Sequence, residues 1–201
     1  MSRITCKICR RLGESVCGRV KCAYKRRPYP PGKLDFDRKH KSVRSEFGTY
    51  LIEKQKVRNT YGIGERQFSN YVKFAKAKVG SAPTETLFES LERRLDNVVF
   101  RLGLASSRAF ARQLVSHGHI IVNQRKVTIP SYQVKTGDKI SIREGSKNIG
   151  PFKELLRKLE GHSHPEWIKF DPSKGEAEIQ SKPKNTDLAF NLSSVVEFYS
   201  R

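Results

Sequence analysis

The spacing of apolar residues changes near Gly118 in this 201-residue chain, and the change limits the fold class. Before this glycine they recur every three or four positions, as on one face of a helix: Leu87, Leu91, Leu95, Val98 and Leu102. After it they alternate, as in short strands: Ile120 and Val122, Val127 and Ile129, Ile140 and Ile142. Helices followed by short antiparallel strands predict an α+β domain.

Turn and capping signals predict the ends of these elements. Pro83 opens a helix that we expect to run to Leu102 and to end at Gly103. A second helix is expected after Ser107, because its hydroxyl can cap the first turn. An earlier helical stretch, from 46 to 79, carries its own apolar stripe: Phe68, Val72, Ala75 and Val79.

All the cysteines of the chain lie near its start, in a lysine-rich segment with few large apolar side chains. They are separated by two, seven and four residues: Cys6, Cys9, Cys17 and Cys22. Thiolates at short spacings can surround one tetrahedral Zn²⁺, and metal binding can fold a segment that lacks a core. We therefore predict a zinc-binding knuckle in the N-terminal extension.

The same cysteines fit two other interpretations. An iron-sulfur cluster also accepts four thiolates, and reduced cysteines can bind no metal at all. The opening residues lack the apolar stretch of a signal peptide, so we expect a cytoplasmic protein. A disulfide framework fits that compartment least well.

The chain is strongly basic, and the charge is concentrated in two blocks. Lys and Arg number 40 against 20 Asp and Glu, which gives a net charge of +20. Residues 1–60 hold 17 basic and 5 acidic residues, and residues 91–145 hold 10 and 4. Such blocks favour a nucleic-acid partner over an anionic membrane or an acidic protein. No apolar run is long enough to span a membrane.

Basic residues recur on predicted helix faces. Arg94 lies on the first helix of the pair, and Arg108 and Arg112 lie four residues apart on the second. A DNA-binding helix-turn-helix places its reading residues on the second helix, so arginines on both helices favour recognition of an RNA backbone. Lys54 and Arg58 form another pair four residues apart, which either contacts RNA or lies on a solvated helix face.

No arrangement of catalytic residues is evident. Two histidine pairs, His117 with His119 and His162 with His164, lack carboxylate or cysteine partners at ligand spacing. We interpret them as turn residues or RNA contacts. The sequence therefore predicts a protein that is not an enzyme.

The longest motif is LERRLDNVVFRLG, from Leu91 to Gly103. It is followed by Ser107-Arg108, by ARQLV at 111–115 and by HGHI at 117–120, and the chain ends in VEFYSR. Together these motifs resemble the bacterial-type small-subunit ribosomal protein "S-four" family, with its RNA-binding domain. The resemblance extends over nearly the whole chain.

This resemblance implies a structural role in the small ribosomal subunit. Members bind a five-way helical junction in the 5′ domain of small-subunit rRNA and nucleate assembly. They lie at the mRNA entry side, beside small-subunit proteins three and five, and contribute to translational accuracy. We therefore expect a location in the ribosome of a bacterium or a plastid.

Carried over by position, the resemblance implies a set of RNA-facing residues in the module: Arg93, Arg94, Arg108, Arg112, Gln113, His117, His119, Asn123 and Lys126. Gln124 stands where the family usually has glycine. A tight turn with left-handed backbone is therefore not expected after Asn123.

The predicted organisation has three parts. Residues 1–45 form the basic extension, residues 46–90 form an α-helical domain, and residues 91–185 form the RNA-binding domain, with its core motif at 91–143. The tail, 186–201, is expected to pack against the helical domain. In the segment after the core motif, which is rich in Gly, Pro, Ser and Lys, Trp167 and Phe170 are expected to anchor the chain.

Two other classes of function are compatible with the residues. One is an enzyme that carries the same RNA-binding module, although about 40 residues after the module are too few for a catalytic domain. The other is a DNA-binding zinc regulator, which would prefer duplex DNA to structured rRNA.

Overall fold

The computed structural model describes residues 5–19, 21–32, 44–147, 152, 163–171, 175–184 and 190–200. Two compact units make up the chain: Met1–Leu87 with Thr186–Arg201, and Phe88–Asn185. The first unit is helical and the second contains an antiparallel sheet, so the predicted α+β class is confirmed. Among the described residues, no helix has the length and apolar character needed to cross a membrane.

The helices are α1 (Cys6–Leu12), α2 (Ala23–Arg26), α3 (Glu46–Tyr61), α4 (Glu65–Ala77), α5 (Pro83–Glu92), α6 (Leu95–Arg101), α7 (Arg108–Ser116), α8 (Glu144–Lys147) and α9 (Leu192–Phe198). The strands are β1 (Ile120–Val122), β2 (Arg125–Lys126), β3 (Lys139–Ile142), β4 (Ile168–Asp171) and β5 (Glu176–Ile179).

In the first unit, the C-terminal helix α9 packs against α3. The ring of Phe198 lies 5.4 Å from that of Phe47, and the ring of Tyr199 lies 6.1 Å from that of Phe68. Lys76 donates a hydrogen bond of 2.8 Å to the Ser200 hydroxyl. The end of the chain is therefore fixed to the helical unit by both apolar and polar contacts.

The apolar stripe of α4 is shorter than the sequence indicates. Phe68, Val72 and Ala75 are buried, but Val79 is 97% exposed. The helix ends at Ala77, and Lys78 already has extended backbone angles. Because the helical period stops there, Val79 no longer faces the core, and its assignment to the stripe was wrong.

In the second unit, the single helix expected from Pro83 to Leu102 is wrong. The chain leaves the helix after Glu92 and starts α6 at Leu95, because Arg94 adopts extended angles and forms a β-bridge with Gln133. The Leu95 amide donates to Tyr132 O at 2.9 Å. Pairing with a segment about 40 positions away therefore replaces one helical turn.

The sheet has five antiparallel strands in the order β2-β1-β3-β5-β4. Its buried residues join those of α6 and α7 in one core, which includes Leu95, Val98, Leu114, Ile120 and Ile140. Strands β4 and β5 were not predicted. Trp167 is buried in this core and Phe170 packs against it, so the two aromatic anchors were correct.

The β1–β2 hairpin differs from the prediction in two respects. The second strand is Arg125–Lys126, and Ile129, which was expected in that strand, is 60% exposed. The turn is a tight left-handed one, with φ of 48° at Asn123 and 64° at Gln124. Gln124 is held there because the Asn123 side chain fixes the turn, accepting from Lys139 N at 2.9 Å.

Candidate nucleic-acid interface

Two arginines share one buried carboxylate at the start of α6. Asp96 accepts hydrogen bonds from Arg94 Nε at 3.1 Å and from Arg94 Nη2 at 2.8 Å. Its Oδ2 also accepts from Arg112 Nε at 2.9 Å and from Arg112 Nη2 at 2.6 Å. The Arg94 side chain is 3% exposed and that of Arg112 is 25% exposed. Of the two, Arg112 therefore has the more solvent-exposed side chain.

A second buried acid, Glu92, holds Arg101 and Asn97. Arg101 Nε and Nη2 each donate to a Glu92 oxygen at 3.0 Å, and Asn97 Nδ2 donates to Glu92 Oε2 at 3.0 Å. Asn97 Oδ1 accepts from Arg108 Nε at 2.7 Å, and the Arg108 guanidinium lies 4.4 Å from the centre of the Phe100 ring. These contacts define the arginine cluster: Arg101, Arg108 and Arg112.

Polar side chains are exposed at the end of α7 and on the β1–β2 hairpin: Gln113, His117, Asn123 and Lys126. The Lys126 side chain lies over Gly118, where an added Cβ would overlap Lys126 Cε. Gly118 also has a φ of 74°, which glycine adopts without strain. This glycine therefore brings the hairpin lysine next to the end of α7.

His119 is less accessible than its neighbour His117. Its Nδ1 lies 2.9 Å from the Ser146 hydroxyl, and its ring centre lies 5.7 Å from that of Phe152. The His117 ring lies 6.1 Å away and is exposed. The structure thus brings the two histidines together, but only His117 is open. His162 lies outside the described residues.

One stretch of this module carries basic residues and no acidic ones. No Asp or Glu occurs between Asp96 and Asp138, whereas six basic residues do: Arg101, Arg108, Arg112, Arg125, Lys126 and Lys135. Both flanking acids are buried. Asp138 accepts from Asn123 Nδ2 at 2.8 Å and from Lys135 N at 2.7 Å. The net charge that this stretch presents to solvent is therefore positive.

The cysteines of the N-terminal segment lie close together. The Sγ atoms of Cys6, Cys17 and Cys22 are all within 4.8 Å of one another, which is the donor set of a metal site. Cys9 is buried, and its thiol hydrogen-bonds to those of Cys17 and Cys22. These cysteines can therefore surround one soft metal ion.

Two of these thiols differ in acidity. Burial, together with the neighbouring Cys17 thiol, raises the pKa of Cys9 to about 12. Burial also acts to raise the pKa of Cys22, but hydrogen bonds from Ser15 and the Tyr24 backbone outweigh it and lower that pKa to about 7. Cys22 is therefore the thiol that ionises more readily, and thiolate is the form that binds metal.

Two family models match this chain. The model of the Ribosomal protein S4/S9 N-terminal domain matches residues 2–92, and the model of the S4 domain matches residues 93–140. The chain belongs to the uS4 family of small-subunit ribosomal proteins. This family consists of structural RNA-binding proteins, so the predicted family and the prediction that the chain is not an enzyme are confirmed.

Several uS4 relatives are similar over their full length. Small ribosomal subunit protein uS4 of Halothermothrix orenii is 44% identical, over 98% of this chain and 96% of its own. The protein of that name from Chlorobium limicola is 46% identical, over 97% and 96%. That from Geotalea daltonii is 42% identical, over 100% of both chains.

Lys54 and Arg58 converge on one carboxylate of α4 in this uS4 chain. Lys54 Nζ lies 2.7 Å from Glu65 Oε1, and Arg58 Nη1 lies 3.0 Å from Glu65 Oε2. The Lys54 side chain is 7% exposed, and its ammonium lies 4.5 Å from the centre of the Phe198 ring. Lys54 is thus not on a solvated helix face, because α9 covers it.

The two arginines at the break before α6 also contact protein groups. Arg93 Nε donates to Val134 O at 2.6 Å, and its Nη1 lies 2.7 Å from Glu89 Oε1. Arg94 was expected to project from a helix, which is wrong. It is the N-cap residue, just before the first residue of α6, and its side chain points inward to Asp96.

Sequence reasoning missed the acids beneath the arginines. Glu92 and Asp96 lie four positions apart, beside the apolar positions 91 and 95. Acids next to an apolar stripe, with arginines on the next predicted helix, are the signal that indicates buried ion pairs. Their pairing with Arg112 still depends on how α6 and α7 pack.

Proposed function

We propose that this chain is a primary rRNA-binding protein, which recognises a multi-helix junction in the 5′ domain of small-subunit rRNA and nucleates assembly there. One observation carries the proposal. The stretch between Asp96 and Asp138 contains six basic residues and no acid, and both flanking acids are buried. A surface of that kind attracts phosphate and does not repel it.

The chemistry of these groups favours the RNA backbone. Arg108 and Arg112 present planar guanidinium groups, which match phosphate oxygens in forked hydrogen bonds. Double-stranded RNA is recognised mainly by its shape and backbone, because side chains cannot enter its narrow major groove. Gln113, His117, Asn123 and Lys126 are exposed beside the cluster and complete the proposed contact surface. Arg93 and His119 lie at its edge.

We infer that the N-terminal segment supplies a second contact region. Its exposed basic residues surround the cysteines: Lys7, Arg11, Arg19, Lys21, Lys25, Arg26 and Arg27. The proposed metal is Zn²⁺, held by Cys6, Cys9, Cys17 and Cys22. Bound zinc would fold this segment and neutralise the thiolates, and it would carry out no reaction.

The remaining proposals rest on family membership. We propose that the protein lies at the mRNA entry side of the subunit, beside small-subunit proteins three and five, and that it contributes to translational accuracy. The location is then the ribosome, in the cytoplasm. Within the chain, we assign the RNA-binding module to residues 91–185, with its core motif at 91–143.

Binding of the full chain to a transcript of the junction tests the function. We expect binding about a thousandfold tighter than to duplex DNA of equal length. We also expect a loss of about a thousandfold or more between 50 and 200 mM salt, because several phosphate contacts release counterions. Equal affinity for the junction and for duplex DNA would contradict the proposal and would favour a DNA-binding regulator.

A further inference from the structure

Two buried carboxylates lie beneath the arginines that we place at the RNA. Glu92 is paired with Arg101, and Asp96 with Arg94 and Arg112. A carboxylate near a phosphate-binding surface opposes binding by charge, and burying it costs free energy. The contacts that these acids make must therefore offset both effects.

We propose that Glu92 and Asp96 are positioning residues, which orient Arg101 and Arg112 toward the phosphates of the RNA. The proposal adds Arg101 to the RNA contacts. It rests on the proposed function of rRNA binding and explains how the side chains of the RNA-binding surface are oriented before the RNA binds.

The geometry of each pair supports this role. Both arginines bind their acid through Nε and Nη2, which fixes one edge of the planar guanidinium. The side chain of Arg101 is 31% exposed and that of Arg112 is 25% exposed. Each side chain is thus held by its acid while part of the side chain is exposed to solvent. An arginine held in this way loses less conformational entropy when it binds a phosphate.

The acids are themselves held rigidly. Arg94, which is almost fully buried, donates to both oxygens of Asp96 and keeps that carboxylate in one orientation. The Asp96 amide donates to Pro130 O at 3.1 Å. Asn97 connects the two acids, because it follows Asp96 in the chain and donates to Glu92 Oε2. Its side-chain Oδ1 accepts from Arg108 Nε, which extends the same network to Arg108.

The direction in which affinity changes when one negative charge is removed distinguishes positioning from simple electrostatics. Asp96→Asn removes a negative charge and keeps the shape of the side chain. If charge alone governs binding, this variant binds the junction transcript more tightly. If Asp96 positions Arg112, the variant binds about tenfold more weakly, although its net charge is higher. Glu166→Gln is the matched control, because it removes an exposed acid of the same unit.

A double-mutant cycle shows whether Asp96 influences RNA affinity only by orienting Arg112. We expect Arg112→Ala and the double variant Asp96→Asn/Arg112→Ala to bind equally, because the acid has nothing left to orient. The same result is expected for Glu92→Gln with Arg101→Ala. Circular dichroism melting of each variant gives the temperature below which it is folded, and affinities are compared there.

A variant that leaves both acids intact covers the case in which Asp96→Asn fails to fold. Arg112→Lys keeps the charge but cannot donate two parallel hydrogen bonds to a phosphate, so we expect it to bind the junction about fivefold more weakly. Unchanged affinity of Arg112→Lys would overturn the proposal, as would Asp96→Asn that binds at least as tightly as Glu166→Gln. Failure of the unaltered chain to bind the junction would instead overturn the proposed function.

Discussion

Tyr199 Oη donates a hydrogen bond of 2.6 Å to Glu65 Oε1, and these two residues are 134 positions apart. The same carboxylate pairs with Lys54 and Arg58 on α3. Glu65 therefore connects α3, α4 and the end of the chain. This relationship fixes the tail to the helical unit and leads to the first three predictions.

Removing the Tyr199 hydroxyl should destabilise the first unit. We expect Tyr199→Phe to lower the free energy of unfolding by about 1 kcal/mol, because a hydrogen bond to a charged acceptor is lost while the ring remains. Urea denaturation followed by circular dichroism measures the change. Tyr29→Phe, at an exposed ring, is the control. Equal stability of the two variants would show that the contact contributes nothing.

The stability of this connection should depend on pH. Burial acts to raise the pKa of Glu65, but the hydrogen bonds and charges of Lys54, Tyr199 and Arg58 lower it below its usual value. A carboxyl group with a lowered pKa in the folded state contributes stability above its unfolded pKa, which is about 4.3. This contribution is lost as the pH falls through the folded pKa.

We therefore expect the urea midpoint of the unaltered protein to exceed that of Glu65→Gln at pH 7, and the difference to shrink below about pH 4. Glu85→Gln, at an exposed acid of the same unit, controls for the general effect of acid. A difference that stays constant between pH 7 and pH 3 would contradict the assignment.

Lys54 and Lys126 should affect different properties. Lys54 is buried beneath α9 and Lys126 is exposed on the hairpin. We expect Lys54→Ala to lower stability by about 2 kcal/mol, because it removes a buried side chain beneath α9 and one of the two cations that pair with Glu65. Its affinity for the rRNA junction should change less than twofold.

Lys126→Ala should show the opposite pattern. We expect unchanged stability and a uniform loss of RNA affinity, with the salt slope reduced by about one. Filter binding and urea denaturation of both variants test the pair of expectations. If Lys54→Ala weakened binding as much as Lys126→Ala while fully folded, α3 would be an RNA-contacting helix.

The periodic parts of this fold were predictable from sequence. The helix α7 follows from the Ser107 cap, and the strands β1 and β3 follow from the alternation of Ile120, Val122, Ile140 and Ile142, since each of these signals is local. The break before α6 was not, because it depends on pairing between Arg94 and Gln133.

The candidate site shows the same limit. The cysteines were predictable, since their spacing alone brings them together. The burial of Lys54 was not predictable, because the helix α9 that covers it lies far away in the sequence. The burial of Arg94 was not predictable either, because Arg94 pairs with Asp96, whose position depends on packing. From its charge alone, a basic residue is predicted to be exposed. Only its tertiary contacts show that it is buried.

Metal analysis of the purified protein tests whether the four cysteines bind zinc. We expect one equivalent of zinc in protein purified without chelator, and no visible absorption of the kind that an iron-sulfur cluster gives. Removing the metal with a chelator should increase amide hydrogen exchange in residues 5–32 and leave residues 88–147 unchanged. Four reactive thiols without any metal in the purified protein would contradict the zinc assignment.

Binding of arginine variants to altered RNA is the most direct test of backbone recognition by this protein. Arg108→Ala and Arg112→Ala are compared with Lys169→Ala, at an exposed lysine of β4, on the natural junction and on junctions with substituted bases. We expect each arginine variant to lose affinity equally on all these RNAs, with the salt slope reduced by about one, and Lys169→Ala to bind normally. A loss confined to the natural junction would show that these arginines read bases and would contradict backbone recognition.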